Sequence, residues 1–206
     1  ASGFSVANRR LSRASTGIAR SAQAIRRSPW SVSAGSATSK AVTNGRLGAM
    51  TTPPLDLTGE IDVAAVFAGA GGFLRTLGPT LVSSTAQQAV LRLDAGPALH
   101  NHVGGPHAAA LFGLGELTAF ALMLKAFGDE VKGGAVPLIK SGAIEFKSIV
   151  TGPVLSTATL VGDPDGVRAR FAERGSASFE VAVEITLEDG GTVTTLMRPT
   201  MSLKRF

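Results

Sequence analysis

The sequence predicts an α+β domain in which an antiparallel sheet of five or six strands wraps around one long central helix. Two features predict this fold class. Residues 107–127 form a single long segment that is apolar almost throughout, and strand-like segments separated by turn residues follow it. A helix that is apolar on every side must be buried on every side, and a sheet wrapped around it provides that burial.

The apolar segment 107–127 is rich in helix-forming residues and follows Gly104, Gly105 and Pro106. By length alone it could also be a transmembrane helix. Glu116 lies near its middle, where a carboxylate is costly in a bilayer, and strand-like sequence lies on both sides of the segment. We therefore expect the central helix of a domain and no membrane span.

Four strand candidates follow this helix, and two strong turn signals separate them, Asp-Pro-Asp-Gly at 163–166 and Glu-Asp-Gly-Gly at 188–191. In the third candidate, five apolar residues from Phe179 to Leu187 alternate with more polar ones, which predicts a strand with one buried face. The candidates are residues 135–149, 154–161, 167–183 continuing through Ile185 to Leu187, and 192–203.

Two weaker elements precede the helix. Residues 56–76 predict one helix or two short ones, capped by Asp56 or Thr58 and weakened by several glycines. In the later part of residues 81–93, residues that would be buried alternate with residues that would be exposed, which predicts one strand.

The basic character of the chain is concentrated at its beginning. Residues 1–49 contain eight of the 20 basic residues and no acid, so the remaining 12 basic residues and all 15 acidic ones leave the rest with a net charge of −3. A mildly acidic domain argues against nucleic-acid binding. The first 49 residues predict a disordered leader, which is either an organellar transit peptide or sequence upstream of a natural start at Met50. We expect one domain at 50–206, located in the cytoplasm, or in an organellar matrix if the leader is a transit peptide.

The residue inventory restricts the possible chemistry. The chain has no cysteine, which excludes disulfides, thiolate metal sites and thiol nucleophiles. Its three histidines, His100, His102 and His107, lie close together in sequence. His100 and His102 are two residues apart in a predicted loop without a clear third ligand, so we expect no metal site.

Residues 100–116 combine two features that suit a reaction in which negative charge develops on an oxygen atom. Gly104 and Gly105 lead into a helix start, whose unpaired N–H groups and dipole favour an anionic oxygen. Glu116 is the only acid in an otherwise apolar helix. Such a carboxylate must be stabilised by hydrogen-bond donors or an opposite charge, or be there for a functional reason. The plainer alternatives are a structural acid at Glu116, a helix-start residue at His107 and an ordinary turn at Gly104.

The spacing of these groups predicts a site shared between two chains. His107 and Glu116 are nine residues apart, and at about 100° per residue they fall on opposite faces of a helix. One chain cannot easily aim both at the same ligand atom. Two chains related by a two-fold axis can, so we expect a homodimer.

These residues resemble a known family. Asn101, Gly104, the run His107-Ala108-Ala109 and Glu116 are similar to the Asn/Gln, Gly, His-Gly-Gly and acid pattern of the hotdog-fold thioesterase superfamily, and of its PaaI-like proteins in particular. Residues 144–152 are similar to that family's second-strand segment. The similarity is closest to an uncharacterised branch defined only as a domain of unknown function.

The resemblance implies a hotdog fold, an acyl-CoA thioester as substrate, and a dimer or a pair of dimers. No cofactor is implied besides the CoA of the substrate. By position, Glu116 would act as general base or nucleophile. The N–H groups of His107 and Ala108 would polarise the thioester carbonyl, and Asn101 would position the carbonyl or a water.

Further residues are implied in substrate binding. Gly104 and Gly105 would cradle an anionic oxygen. The acyl chain would lie against Phe112, Leu117 and Phe120, and CoA phosphates would meet Lys147, with Lys140 as a weaker candidate.

Two departures from the family pattern point to slower hydrolysis. His-Ala-Ala replaces His-Gly-Gly, and Phe120 stands where several relatives have a hydroxyl residue. Two alternatives therefore stay open. One is a non-catalytic acyl-CoA-binding protein. The other is a 3-hydroxyacyl thioester dehydratase, suggested by the 14-residue spacing of His102 and Glu116, although Ala110 and Leu111 replace the Pro-Gly usual in that family.

Overall fold

The computed structural model describes residues 59–206, which form a six-stranded antiparallel sheet with one long helix packed on it. The predicted leader, Met50 and the expected cap residues Asp56 and Thr58 lie outside the described residues. In chain order the elements are α1 Val63–Gly69, α2 Gly72–Leu77, β1 Thr80–Ser84, β2 Gln88–Leu93, α3 Ala108–Ala126, α4 Gly128–Lys132, β3 Val136–Phe146, β4 Val154–Val161, α5 Pro164–Arg174, β5 Ser176–Leu187 and β6 Val193–Lys204.

The predicted architecture is confirmed, with the upper of the two expected strand numbers. The sheet order is β1-β2-β4-β5-β6-β3, and every neighbouring pair is antiparallel. Strands β1 and β3 are therefore the two edges of the sheet, and the chain crosses from β2 to β3 through α3.

Helix α3 is the core of the domain. Twelve of its 19 residues are buried, and its apolar surface meets the inner face of the sheet. At Gly115 the helix comes so close to β6 that an added Cβ would lie 2.6 Å from the Met197 sulfur. The apolar segment that could span a membrane by length and composition is thus the central helix of the fold, as expected.

The alternation predicted in β5 is confirmed. Phe179, Val181, Val183 and Ile185 are buried, whereas Glu180 and Glu184 between them are exposed. Burying each large aliphatic side chain stabilises the fold by about 1.5–3 kcal/mol, so these positions fix which face of the strand meets α3.

Two predictions about element type were wrong. Residues 81–93 form a hairpin, β1 and β2, instead of one strand, because the Thr85 hydroxyl accepts hydrogen bonds from the N–H groups of Gln87 and Gln88 and closes a turn. The predicted strand at 167–183 begins instead as helix α5. Its N-cap Asp163 accepts hydrogen bonds from the N–H groups of Asp165 and Gly166.

The two short helices predicted in residues 56–76 are present within the described residues. The cap of α1 is Asp62, whose carboxylate accepts hydrogen bonds from the N–H groups of Ala64 and Ala65. Helix α2 ends at Gly78, which has a φ of +66°, a conformation that favours glycine. Phe73 and Leu77 of α2 lie against Gly113 in the first half of α3.

Candidate functional site

The loop before α3 is held by one side chain. Asn101 Oδ1 accepts hydrogen bonds from the N–H groups of Val103 and Gly105, at 3.0 and 3.4 Å, while its Nδ2 donates to the Pro106 carbonyl at 3.2 Å. Asn101 therefore organises the loop that leads into the helix. Its predicted contact with substrate stays a prediction.

The two glycines of this loop have different physical reasons to be glycine. Gly104 has a φ of +85° and closes the turn by donating its N–H to the Asn101 carbonyl. Gly105 is buried, and an added Cβ there would lie 2.5 Å from the Val150 carbonyl oxygen. This contact brings together the two segments on which the family resemblance rests, the loop before α3 and the segment after β3.

His107 caps α3. Its backbone is extended, with φ −62° and ψ 144°, and its Nδ1 accepts a hydrogen bond from the Ala109 N–H at 3.1 Å. An accepting Nδ1 needs its lone pair, so the ring hydrogen is on Nε2. This is the helix-start role considered from the sequence, and it does not exclude a contact between Nε2 and a ligand.

The first turn of α3 leaves one N–H group without an acceptor. His107 donates its own N–H to the Leu99 carbonyl at 2.7 Å, which corrects the expectation that this group faces the substrate. Ala110 and Leu111 donate theirs to the His107 carbonyl. Within residues 59–206, the N–H of the exposed Ala108 has no partner, so it alone remains available to an anionic oxygen.

Glu116 lies on a strip of α3 that is not fully buried. The strip consists of Ala109, Phe112, Glu116 and Phe120, spaced three or four residues apart, and Leu117 lies half-buried beside it. Phe112 and Phe120 are one turn before and one turn after Glu116. In the part of the chain that the structure describes, the carboxylate makes no hydrogen bond or ion pair.

Ala108 and Glu116 do not meet within one chain. They are eight residues apart on one continuous helix, which separates them by about 12 Å along its axis. A reacting carbonyl needs a donor at about 3 Å. One chain therefore presents two half-sites at different heights along α3.

The remaining site candidates are dispersed. The Lys147 ammonium lies near the end of β3 and pairs with the Glu145 carboxylate. His100 donates from Nε2 to the Ala95 carbonyl at 2.9 Å, and His102 is exposed in the turn. Nowhere between residues 59 and 206 do three His, Asp or Glu side chains come together as a metal site would require.

A cavity beside the start of α3 was missed by the sequence analysis. It has a volume of about 230 Å³ and is lined mainly by apolar side chains of α2, the segment before the loop, and the first turn of α3. Six of its lining residues are Phe73, Leu77, Leu99, His107, Ala109 and Ala110. Phe112, Leu117 and Phe120, where the acyl wall was expected, lie further along α3 and do not line this cavity.

Phe73 forms one side of this cavity and packs directly on the central helix. An added Cβ on Gly113 would lie 2.6 and 2.8 Å from two atoms of the Phe73 ring, so only glycine permits this contact. Phe73 is nonetheless 59% exposed. A glycine inside a long helix was the available sequence signal, because glycine destabilises a helix interior unless something packs closely on it.

Structural comparison shows which fold this is. A protein from Pseudomonas aeruginosa, PA5026, described as of unknown function and a probable thioesterase, superposes with a TM-score of 0.61 at 23% identity, over 70% of this chain and 94% of its own. A variant of the thioesterase SAV0944 from Staphylococcus aureus gives a TM-score of 0.51 at 17% identity, over 64% and 97%. At these identities the similarity shows the fold alone, and the fold is the hotdog fold, as expected from the resemblance.

Sequence comparison identifies the family. No curated protein matches the chain. The family model described as a domain of unknown function, DUF4442, matches residues 60–202. Since this match covers well over half of the chain, the protein belongs to the DUF4442 family of hotdog-fold proteins.

Proposed function

We propose that this protein is an acyl-CoA thioesterase whose active site is shared between two subunits. Glu116 of one subunit activates water, or attacks the thioester carbonyl, and the Ala108 N–H of the other stabilises the oxyanion that develops. The observation that supports this most is Glu116 itself. A half-buried carboxylate without a partner, set between Phe112 and Phe120, has no structural use within the described residues.

The start of α3 supports the second half of the proposal. A backbone N–H held by a capped helix start is pre-organised, and the helix dipole favours negative charge at that point. Removing one such donor typically costs about 3–4 kcal/mol of transition-state stabilisation. Because the His107 N–H is bonded to Leu99, the Ala108 N–H would provide all of the oxyanion stabilisation that comes from this backbone.

The edge of the sheet supports the pairing of two copies. Strand β3 is an edge strand that exposes Val136, Leu138 and Phe146. An exposed apolar edge strand is a template for pairing with another chain. Phe112 of α3 lies over Gly142 of β3, where an added Cβ would be 3.3 Å from the ring. A partner bound along β3 would therefore lie next to the strip that contains Glu116.

The test measures release of the CoA thiol from a panel of acyl-CoAs by wild type and Glu116→Gln. We expect turnover by wild type and a fall in kcat of roughly a hundred-fold or more in the variant, the usual scale for loss of a general base. The melting temperature should change by only a few degrees, because Gln has nearly the shape of Glu.

Glu173→Gln is the matched control. Glu173 is an exposed acid on α5 that pairs with its neighbour Arg174, so its replacement should leave turnover unchanged. Undiminished turnover in Glu116→Gln would contradict the role of Glu116. Tight binding of acyl-CoA without any thiol release by wild type would instead identify a binding protein.

A further inference from the structure

We propose that the cavity between α2 and the start of α3 binds the acyl group of the thioester, and that Phe73 limits the acyl group to a short chain or a single ring. This inference rests on the proposed function and names the substrate class for the same site. It assigns a specificity role to the N-terminal helices, which the chemistry at Glu116 and Ala108 does not use.

The position of the cavity supports this assignment. His107 and Ala109 line it and flank Ala108, whose N–H is free. A thioester carbonyl bound at that N–H would place the next carbons of its acyl group at the mouth of the cavity. The thiol side of the ester would then point away from α2.

The lining of the cavity fits a hydrocarbon group. Leu77 is 2% exposed and forms an apolar wall with Leu99, while Phe73 lines the solvent side. Apolar pockets bind apolar groups by removing their surface from water. Among the described residues, the Nε2–H of His107 has no hydrogen-bond partner and is the polar group left at this position.

The size of the cavity limits how large an acyl group it can enclose. Its volume of about 230 Å³ is below the roughly 300–1,000 Å³ of pockets that enclose a drug-sized ligand. At about 30 Å³ for each water-sized group, it accommodates about seven or eight non-hydrogen atoms. The cavity is open to solvent, so a longer acyl chain would leave its remaining carbons in water beyond Phe73 and gain no further binding from them.

Phe73 is able to set this limit because of Gly113. The ring lies on the glycine Cα of the central helix, which fixes its inner edge, whereas the rest of the side chain is exposed. Replacing the ring with a smaller side chain would lengthen the cavity along α3. Such a replacement should hardly affect folding, because most of the Phe73 surface is already in water.

The experiment measures Kd for a series of S-alkyl-CoA thioethers of two to twelve carbons, which cannot be hydrolysed. In wild type we expect Kd to fall roughly three- to four-fold for each added methylene, the usual effect of burying one, up to about seven carbons, and then to stop falling. Phe73→Ala should move this limit to longer chains, and Phe73→Trp should move it to shorter ones. Phe206→Ala, the same change at an exposed phenylalanine near the end of β6, should leave the profile unchanged.

Identical chain-length profiles in wild type and both Phe73 variants would overturn the inference, and so would the absence of binding by any thioether. The result is independent of turnover. If Phe73 variants shift the profile while wild type hydrolyses no thioester, the proposed activity fails and the acyl site stands. If thioesters are hydrolysed with an unchanged profile, the activity stands and the acyl site fails.

Discussion

At the scale of single residues, the candidate site depends on how one histidine uses its atoms. His107 donates its N–H to Leu99, accepts from Ala109 with Nδ1, and accepts from Ala110 and Leu111 with its carbonyl. Within residues 59–206, these bonds satisfy every backbone N–H at the helix start except that of Ala108. The free N–H at Ala108 is therefore a consequence of the cap.

Replacements of His107 should change stability according to how well the new side chain caps α3. His107→Ala should lower the free energy of unfolding by about 1 kcal/mol, the usual value of an N-cap, which corresponds to a few degrees in Tm. His107→Asn should retain most of the stability, since Asn caps helices well. Thermal unfolding of the two variants measures the difference. Equal losses in both would show that the Nδ1 bond does not stabilise the helix.

The residues of the site differ in how far the sequence could predict them. Glu116 is predictable because a lone acid in an apolar helix is anomalous by composition alone. The availability of Ala108 is not, because it depends on the Leu99 carbonyl and on the extended backbone of His107. The contact between Phe73 and Gly113 joins residues 40 apart in sequence. A glycine in a long helix indicates that something packs closely on it, but the sequence does not show which residue does so.

At the scale of elements, a buried pair of hydroxyls fixes α3 on the sheet. Thr118 Oγ1 lies 2.7 Å from Ser156 Oγ of β4 and 2.7 Å from the Leu114 carbonyl, and both side chains are fully buried. A paired polar group in an apolar interface specifies one register, because any shift along the helix would leave a hydroxyl unsatisfied. Thr118 lies about half a turn after Glu116, so the pair also fixes where the carboxylate lies along the axis of α3 relative to the sheet.

A double-mutant cycle tests this pairing. Thr118→Val should lower the free energy of unfolding by about 1–3 kcal/mol, since it leaves the Ser156 hydroxyl buried without its bond. Ser156→Ala should cost less, because the Thr118 hydroxyl keeps its bond to the Leu114 carbonyl. The double variant should lose clearly less than the sum of the two, because replacing both partners removes the unsatisfied group. Urea unfolding gives the three values. Additive losses would mean that the two hydroxyls do not interact.

The elements that the sequence predicted correctly are those with strong periodicity or composition. The all-apolar α3 and the alternating β5 are examples. The strand predicted at 167–183 rests on the alternation that starts at Phe179, and its first part is helix α5 instead. Val167 and Phe171 are four residues apart, which suits one helix face, and both are buried. The Asp163-Pro164 pair was interpreted as a turn, but Asp before Pro is equally a helix start. The hairpin at Thr85 has no glycine or proline to reveal it.

At the scale of the whole molecule, the fold presents two half-sites that cannot meet in one chain. The helix is continuous from Ala108 to Ala126, so the free N–H and the carboxylate stay about 12 Å apart along it. The exposed apolar edge of β3 is the surface on which we propose that a second copy binds. A dimer of this kind would bring the Ala108 end of one helix to Glu116 of the other and create two equivalent sites.

Mixing two inactive variants tests the shared site most directly. One variant is Glu116→Gln. The other is Ala108→Pro, which removes the proposed oxyanion donor where proline fits, since it occupies the first helical position and the backbone of His107 is already extended as proline requires of its predecessor. Ala108→Gly, which keeps the N–H, is the matched control and should retain activity.

In a mixed dimer one site contains both substitutions and the other contains neither. About half of the dimers in an equilibrated equal mixture are mixed, so we expect recovery of about a quarter of wild-type thioesterase activity, while each variant alone stays inactive. If subunit exchange is demonstrated and the mixture recovers no activity, the catalytic groups act within one chain and the shared site is wrong.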